Sequence, residues 1–495
     1  MKNFLGDKKI LFVFELANNH NGSKKNALKI IDAAKTISNF ENIEFGFKLQ
    51  FRNLKTFLHP SYKKSKNKHV KRFIDTKLGD KDYIEICKYI KKNKFKLIIT
   101  PFDEKSVDLA EKCKVDIIKI ASCSNNDWPL IEKISNKKKP VIASTGGITF
   151  DEIDNISNFF ERKNIPLSIL HCVSIYPTLN SKDFNINVIK KMEKRYPKNI
   201  IGYSGHEDES NFLPSICAVA SGAKIIERHF SHLNEKNNYT IGKEKLEKLL
   251  SQINNSIEIL GNSDKQISEL EKESISSLQR GLFAKRNILT KKKYSNQDFY
   301  LAFPKENLKQ LSAIDLSKDI ILNKNIKKDE CIEGKVEELK KFYVRKFVHR
   351  YKFMLNEAKI IPGEECYSEL SHHYGIENIE RFGAFLITII NGQYCKKLVC
   401  LLKDQFHPKH KHCKKIETFH VLSGNLKLKK ENITYNLRPG DKIDVMNNEW
   451  HEFSSNTGCI FEEISTESMK KDSVYFDKEI QKNDYIYRKT VVNLI

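Results

Sequence analysis

Residues 10–49 read ILFVFELANNHNGSKKNALKIIDAAKTISNFENIEFGFKL and show the pattern from which the fold can be predicted. The run from Ile10 to Leu16 is apolar enough for a buried strand, and the run from Ile43 to Leu49 repeats it. Between the two runs, apolar residues recur at helical spacing, namely Ala27, Ile30, Ile31, Ala34 and Ile37. A strand, a helix and a second strand of this kind predict a βα unit with parallel strands.

The same alternation continues to about Leu260. Further candidate strands are Phe95–Thr100, Val115–Ile120, Pro140–Ser144, Leu167–His171, Ile200–Tyr203 and Ala223–Glu227. About eight strand–helix units in roughly 250 residues predict the α/β class and a (β/α)8 TIM barrel. A doubly wound open sheet is the second possibility, but it usually has fewer strands and a dinucleotide-binding turn. The sequence has no G-x-G-x-x-G turn.

The sequence pattern changes twice after the predicted barrel. We expect a barrel domain over residues 1–262, a linker helix over 263–278, a small α+β module over 279–341 and a third domain over 342–495. Strand-like runs of the third domain alternate with turns such as Pro439-Gly440-Asp441. This alternation is typical of an antiparallel barrel or jelly roll.

The chain has a formal net charge of +23, from 86 Lys and Arg against 63 Asp and Glu. The lysines are scattered over every segment, so we do not expect a nucleic-acid site. The first residues lack the layout of a signal peptide, and no apolar run approaches the roughly 20 residues that span a bilayer. None of the 11 cysteines forms a C-x-x-C pair. We therefore expect a cytoplasmic protein with reduced cysteines that binds no membrane.

Polar residues follow almost every predicted strand of the barrel. They are Glu15, Asn19, His20, Lys48, Gln50, Thr100, Lys119, Ser122, Ser144, Thr145, His171, Ser174, Tyr176, Ser204, His206, Glu227 and His229. Barrel enzymes carry their reactive groups at these strand ends, so the ring predicts an active site. Its lysines and hydroxyl groups suit a ligand with a phosphate and a carboxylate. The turn from Ser144 to Gly147 is expected to open a helix whose free N–H groups favour an anion.

His206 and His229 end two neighbouring predicted strands. Two imidazoles with water in the remaining positions suit a divalent metal that polarises a carbonyl oxygen. The residues alone leave a purely structural role for the pair equally open.

A second candidate metal site lies near the C-terminus. His410-Lys411-His412, Glu417 and Gly424 resemble the cupin spacing H-x-H, four residues, E, six residues, G, and His451 stands at the distance of the second cupin motif. Three imidazoles and a carboxylate suit Mn, Fe, Ni or Zn. The site is compatible with an isomerase, an epimerase, a sugar-sensing module or a structural metal. The stretch His372-His373-Tyr374-Gly375 is expected to be a loop or pocket wall.

The barrel part closely resembles the sialic acid synthase (NeuB) family. The motifs that carry this resemblance are Phe14–Gly22, Phe47–Gln50, Thr100–Phe102, Lys119–Ser122, Ser144–Gly146, His171–Pro177, Gly202–His206 and Ile226–Phe230. The stretch from Arg280 to Ala284 is similar to the start of the antifreeze-like (SAF) module that follows the barrel in this family. The resemblance implies a homodimeric enzyme that condenses phosphoenolpyruvate with N-acetylmannosamine or a related amino-sugar aldehyde and releases phosphate.

The resemblance also implies roles for individual residues. The residues around phosphoenolpyruvate would be Lys48, Thr100, Lys119, Ser122, Ser144, Ser174 and Ser204. His206 and His229 would hold Mn or Mg. Glu15, Gln50 and Tyr176 would contact the sugar, and Glu15 would also transfer a proton.

The chain departs from the family pattern on the sugar side. Ser124 stands in place of Glu, Gly205 in place of Asp, and Asn237–Thr240 in place of a Gly-Pro-Asp segment. The stretch Leu301–Asn307 lacks the Pro-Gly near the family's sugar-binding arginine, so no arginine is assigned. These changes leave the acceptor sugar open. They also leave two other hypotheses: a cupin-type sugar isomerase fused to a barrel, and a sugar-phosphate sensor with a catalytically degenerate barrel.

Overall fold

The computed structural model describes residues 9–63, 65–233, 237–290, 294–337, 340–363, 366–466, 469 and 472–492. The chain divides into two compact units, of which the first ends at Asp264 and the second begins at Lys265. The finer division of the second unit and the homodimer stay predictions.

The first unit is a closed barrel of eight parallel strands in sequence order. The strands are β1 Ile10–Glu15, β2 Ile43–Phe51, β3 Lys96–Pro101, β4 Ile117–Ile120, β5 Val141–Ser144, β6 Leu167–Cys172, β7 Ile200–Gly205 and β8 Ile225–His229. Because β8 pairs with β1 and closes the barrel, the predicted TIM barrel is confirmed and the open sheet is wrong. Every predicted strand overlaps an observed one.

Helices connect the strands of the barrel. They are α1 Lys24–Thr36, α2 Leu54–Phe57, α3 Lys68–Asp75, α4 Asp80–Lys92, α5 Glu104–Lys112, α6 Trp128–Ser135, α7 Phe150–Arg162, α8 Asn187–Arg195, α9 Leu213–Ala220 and α10 Lys243–Leu260. Ser23 caps α1 by accepting a hydrogen bond from the Asn26 N–H at 3.3 Å, which satisfies one of the free donors of the first turn. The spacing predicted for α1 is the buried face of this helix.

Alternate residues of each barrel strand face opposite sides of the wall. Phe12 and Phe14 pack in the same cluster as the buried residues of α1. Leu11 and Val13 instead pack with apolar residues of other strands inside the barrel, namely Ile98, Ile117, Ile142, Leu170 and Ile225. The same alternation places Glu15 on the inner side, above this apolar layer.

The second unit begins with α11 Glu269–Ser277, which is shorter than the predicted linker helix. Two small antiparallel pairs and a helix follow: β9 Gly281–Ala284 with β10 Phe299–Ala302, β11 Asp319–Ile321 with β12 Lys335–Glu337, and α12 Lys340–Glu357. Both α10 and α12 have 18 residues. Neither they nor any other helix in the described ranges has the length and apolar character to cross a membrane.

The rest of the second unit is two antiparallel sheets. The elements are β13 Tyr367–Ser371, β14 Ala384–Asn391, β15 Cys395–Leu401, β16 Gln405–His412, β17 Glu417–Gly424, β18 Leu426–Lys430, β19 Ile433–Leu437, β20 Lys442–Val445, β21 His451–Ser455, β22 Cys459–Ser465, β23 Ser473–Tyr475, α13 Lys478–Lys482 and β24 Lys489–Val492. One sheet has the order β20-β17-β22-β15-β14-β13-β24, and the other has the order β19-β18-β21-β16-β23. Phe419 and Phe461 from the first sheet pack with Leu428 and Phe453 from the second. This sandwich agrees with the predicted all-β, cupin-like domain.

Candidate active site

Polar side chains replace apolar ones at the C-terminal ends of the barrel strands. On the inner side, the residue two positions after an apolar one is Glu15 on β1, Lys119 on β4, Ser144 on β5, Cys172 on β6 and Glu227 on β8. Because residues i and i+2 of a strand share a face, these side chains converge above the inner apolar layer. A cavity of about 900 Å³ opens at this end of the barrel.

Two buried lysines share one carboxylate in this cavity. Lys48 Nζ donates to Glu227 Oε1 at 2.8 Å, and Lys119 Nζ lies 3.7 Å from the same oxygen. Ser204 Oγ also donates to Glu227 Oε1, at 2.9 Å, and Lys119 Nζ donates to Ser144 Oγ at 2.5 Å. We call these five residues the inner charge cluster. It presents ammonium and hydroxyl donors in a buried setting, where they are strongest toward an anion.

Burial and mutual charge set the ionisation of the inner charge cluster. Burial lowers the pKa of Lys48 to about 8, although the charge of Glu227 opposes this shift. For Glu227 burial opposes ionisation, but the charges of Lys119 and Lys48 outweigh it and hold its pKa below the usual range. Glu227 is therefore a carboxylate at neutral pH, and Lys48 changes charge within the range of ordinary buffers.

Glu15 lies beneath the cavity and does not line it. Its carboxylate contacts Lys48 Nζ and accepts hydrogen bonds from Gln50 Nε2 at 3.0 Å and from the Ala17 N–H at 2.6 Å. Only 1% of Glu15 is exposed, and the sugar contact and proton transfer of Glu15 stay predictions. Its neighbours show that it orients Lys48 and Gln50, both of which line the cavity.

Hydroxyl groups of the predicted ring line the cavity. Ser122 Oγ accepts from the Gly146 N–H at 3.1 Å. A Cβ atom at position 146 would lie 2.1 Å from Ser174 Oγ, so only glycine allows these hydroxyls to approach. The interpretation of the turn at Ser144 as a helix start is wrong, because α7 begins at Phe150 behind its own N-cap. The anion donors here are hydroxyl groups.

His206 and His229 face the same cavity, with ring centroids 5.4 Å apart. His206 Nδ1 lies 3.1 Å from the Val173 carbonyl oxygen, which leaves Nε2 as its free nitrogen. Burial lowers the pKa of His206 to about 4 and that of His229 well below its ordinary value, so both rings are neutral. Neutral imidazoles are the form that binds a metal. In the described part of the chain, no further His, Cys, Asp or Glu completes a set of three with them.

The barrel part of the chain is similar to a known protein family. The NeuB family model matches residues 45–265. The crystal structure of a Chromobacterium violaceum protein named for spore coat polysaccharide biosynthesis is 38% identical, with a TM-score of 0.62 over 66% of this chain and 98% of that chain. The chain belongs to the NeuB family. The prediction that the chain is a synthase-type enzyme is confirmed by the named relatives.

Two further relatives are named as synthases of acidic sugars. The N,N'-diacetyllegionaminic acid synthase of Campylobacter jejuni is 28% identical over 66% of this chain and 99% of its own length. The human N-acetylneuraminate-9-phosphate synthase is 30% identical over 46% of this chain and 63% of its own length. The C-terminal β domain lies outside the residues matched by the NeuB family model.

The NeuB barrel of this chain has a local reason for one departure from the family pattern. A Cβ atom at Gly205 would lie 2.2 Å from Glu207 Oε2. Glu207 is fully buried, with Arg228 Nη1 donating to its Oε1 at 2.6 Å and Tyr203 donating to Oε2 at 3.1 Å. The space of the missing aspartate therefore holds a structural carboxylate, and Gly205 is not a gap in the cavity. Ser124 is buried, and Asn237–Thr240 lies beside a segment outside the described residues.

The remaining predicted residues of the NeuB site line the cavity. Gln50, Thr100 and Tyr176 all do so. Thr100 Oγ1 is buried without a hydrogen-bond partner in the described residues, and the Tyr176 ring packs on His206 with a centroid distance of 4.1 Å. Arg52 and Arg72 also line the cavity, and sequence reasoning missed both. They follow β2 in a loop and on α3, where no periodic pattern marks them.

The C-terminal domain holds a separate cluster of histidines. The free nitrogens of His410, His412 and His451 all lie within 4.8 Å of one another. Nδ1 of His410 lies 2.9 Å from the Pro408 carbonyl oxygen, and Nδ1 of His451 lies 3.1 Å from that of Glu449. These contacts leave Nε2 of each ring as the ligand atom, because a carbonyl that engages Nδ1 fixes the ring orientation in the same way at metal sites. His451 Nε2 is buried and has no hydrogen-bond partner in the described residues.

The predicted fourth ligand, Glu417, has a competing partner. Its Oε1 lies 2.5 Å from Lys415 Nζ and 3.3 Å from His412 Nε2, and its Oε2 lies 3.4 Å from His451 Nε2. Lys415 also contacts Glu463 at 2.6 Å. The donor set fits a divalent transition metal held by three imidazoles, with Glu417 beside it.

His407 is a further histidine of this domain that the motif spacing did not reveal. It lines the same cavity, of about 390 Å³, as His410 and His412. Its Nε2 lies 2.9 Å from His373 Nε2, and both rings are buried. His373 therefore supports the cavity wall, in line with the pocket-wall interpretation. His373 follows β13 of one sheet and His407 lies on β16 of the other, so packing between the two sheets brings them together.

Proposed function

We propose that the barrel condenses phosphoenolpyruvate with an N-acetylmannosamine-like amino sugar in its open aldehyde form. The products are a nonulosonic, sialic-acid-like acid and inorganic phosphate. The observation that carries this proposal is the presence of the inner charge cluster and two neutral imidazoles in one cavity. The named activities of the relatives from Campylobacter jejuni and human support the same class of reaction.

The inner charge cluster supplies the anion-binding groups of this reaction. Lys48 and Lys119 hold the phosphate and carboxylate of phosphoenolpyruvate. Hydroxyl groups add hydrogen bonds, from Thr100, Ser122, Ser144, Ser174 and Ser204. Since the donors are held by the barrel before the ligand arrives, they stabilise the departing phosphate without reorganisation.

The reaction forms one C–C bond and breaks one C–O bond. The methylene carbon of phosphoenolpyruvate attacks the aldehyde carbon, and the aldehyde oxygen takes up a proton. A divalent metal such as Mn or Mg, held by His206 and His229, supplies polarisation of the aldehyde oxygen when bound. Water adds to the enol carbon, and the C–O bond to phosphate then breaks. The proton released by the attacking water balances the one that the aldehyde oxygen takes up. The ionised Glu227 holds Lys48 and Lys119 in place on the cavity wall.

Phosphate release measured with a panel of 2-acetamido sugars tests the proposal. The proposal requires release that depends on both phosphoenolpyruvate and the sugar, with a product mass equal to the sum of the sugar and pyruvate. Isomerisation of the sugar without phosphoenolpyruvate would favour the cupin-type isomerase instead. Binding of both ligands without any turnover would favour the sensor with a degenerate barrel.

The pKa of Lys48 predicts a pH dependence of phosphoenolpyruvate use. Lys48 is cationic below about pH 8 and loses its charge above it, so kcat/KM for phosphoenolpyruvate should fall about tenfold per pH unit on the alkaline side. The measurement is a kcat/KM profile from neutral to alkaline pH. Lys48→Arg should move the falling limb to higher pH, because arginine keeps its charge. A limb at the same pH in this variant would contradict the assignment.

We propose in addition that the C-terminal domain binds its own divalent metal through His410, His412 and His451. The buried, partnerless Nε2 of His451 and the adjacent carboxylate of Glu417 support this proposal. Mn, Fe, Ni and Zn all suit three imidazoles. This centre is separate in sequence and in its cavity from the pair in the barrel.

Metal counting tests the second centre. The dialysed wild type should hold two divalent ions per chain, and His451→Ala should hold one while keeping its phosphate release, because the barrel pair is untouched. His420→Ala is the matched control, since His420 pairs with Glu462 outside this cavity. The readouts are elemental analysis and a thermal melt. Two ions retained in a folded His451→Ala protein would rule the centre out.

A further inference from the structure

A second group of cations lies in the barrel cavity, apart from the inner charge cluster. Arg52 follows β2, and Lys68 and Arg72 belong to α3; all three line the cavity. We call them the outer cationic cluster. Among the described ion pairs, none joins any of these three residues to a carboxylate. The inner lysines, by contrast, share Glu227 and Glu15.

Arg52 is held in place before any ligand binds. Its guanidinium lies between two aromatic rings, 4.3 Å from the centre of Phe73 and 3.7 Å from that of Phe102. Arg52 Nη2 donates to Gln50 Oε1 at 2.9 Å, and Nε is buried without a partner in the described ranges. Stacking and this single hydrogen bond fix the plane of the guanidinium, so little entropy is lost when an anion engages its remaining donors.

Arg72 is anchored by a neutral group. In the orientation that satisfies both partners, the Asn18 amide oxygen accepts from Arg72 Nε at 3.1 Å and from Nη2 at 3.0 Å. Burial lowers the pKa of Arg52 to about 10, and the like charge of Arg72 contributes. Both guanidinium groups line the same cavity. Neighbouring like charges are unfavourable unless a ligand supplies the opposite charge.

The proposed reaction leaves positive charge of the outer cationic cluster unbalanced. The two lysines of the inner charge cluster are balanced by Glu227 and Glu15, whereas Arg52 and Arg72 have no carboxylate partner among the described ion pairs. A neutral sugar would leave these two positive charges in place, whereas a phosphate monoester dianion would cancel them.

We infer that the acceptor sugar carries a phosphate monoester and that Arg52 and Arg72 bind this phosphate. The inference rests on the proposed condensation for the place of the aldehyde, near His206 and His229, and for phosphoenolpyruvate on the inner charge cluster. Gln50 donates to Glu15 and accepts from Arg52, so it stands between the phosphoenolpyruvate lysine and the outer cationic cluster. Paired guanidinium groups match the oxygens of a phosphate in fork geometry.

Kinetics with matched acceptors test the inference. The two acceptors are 2-acetamido-2-deoxymannose and its 6-phosphate, each with saturating phosphoenolpyruvate. We expect kcat/KM to be at least about tenfold higher for the phosphorylated acceptor, and Arg72→Gln to remove about ten- to a hundredfold of it. The KM for phosphoenolpyruvate should stay unchanged in Arg72→Gln. Arg162→Gln, on the exposed end of α7, is the matched control and should change neither value.

Three results would overturn the inference. Equal kcat/KM for the two acceptors is one, and a rise in the KM for phosphoenolpyruvate alone in Arg72→Gln is the second, because the cluster would then serve that ligand. Preference for the corresponding uronic acid over the phosphate is the third. If no acceptor gives phosphate release, the proposed condensation fails separately. Calorimetry of the 6-phosphate with the wild type and Arg72→Gln then still decides whether the cluster binds a sugar phosphate.

Discussion

His206→Ala is expected to lower metal-stimulated phosphate release by about 10³-fold, because it removes one of two imidazoles proposed to hold the metal that polarises the aldehyde. The ring of His206 is buried, and its Nδ1 is already engaged by the Val173 carbonyl. Only Nε2 is therefore lost to the cavity. Steady-state rates with added Mn or Mg, and with metal removed by a chelator, measure the effect.

The matched control for this variant is His232→Ala, which removes an exposed imidazole three residues after His229. It should retain wild-type rates and wild-type dependence on metal. A thermal melt of His206→Ala guards against loss of folding, since the ring packs between Tyr176 and His229. Full turnover of folded His206→Ala after metal removal would refute the role of the pair.

Lys119→Met should lower kcat/KM for phosphoenolpyruvate by about 10²- to 10³-fold, because one preorganised cation of the inner charge cluster is lost. Lys119 is 2% exposed, and methionine fills much of the same space without charge. Its ammonium donates to Ser144 and lies near Glu227. Initial rates at varied phosphoenolpyruvate, with the acceptor saturating, give the value.

Lys112→Met provides the comparison for Lys119→Met, because Lys112 is exposed on the outer helix α5. It should leave the kinetics unchanged. The KM for the acceptor is the readout that a purely structural effect would also move, so it should stay near the wild-type value in Lys119→Met. A folded Lys119→Met enzyme within about threefold of wild type would contradict the proposed role of Lys119.

The barrel itself could be predicted from local sequence. Each strand is a short buried run of β-branched or aromatic residues between helical patterns, and the hydrophobic effect acts on that pattern wherever it occurs. The period of two within each strand also predicts that Lys119, Ser144 and His229 point inward. For the same reason, the pair of histidines and the hydroxyl groups lie where the sequence places them.

Other parts of the site depend on which strands become neighbours. Glu15 pairs with Lys48 across β1 and β2 and with His229 across β1 and β8, so closure of the barrel covers its carboxylate and removes it from the cavity. The same closure brings Glu227 of β8 to Lys48 and makes it the shared carboxylate. A linear motif treats both glutamates alike, because it contains no information on the register between distant strands.

The strands and their inward residues follow from short-range patterns of burial, so both could be predicted from the sequence. The distribution of charge around the cavity depends instead on the tertiary structure. Stacking of Arg52 between Phe73 and Phe102, and the contact of His407 with His373 in the second unit, join residues that are far apart in the chain. Their physical cause is packing between separate elements, which depends on distances that no local pattern encodes.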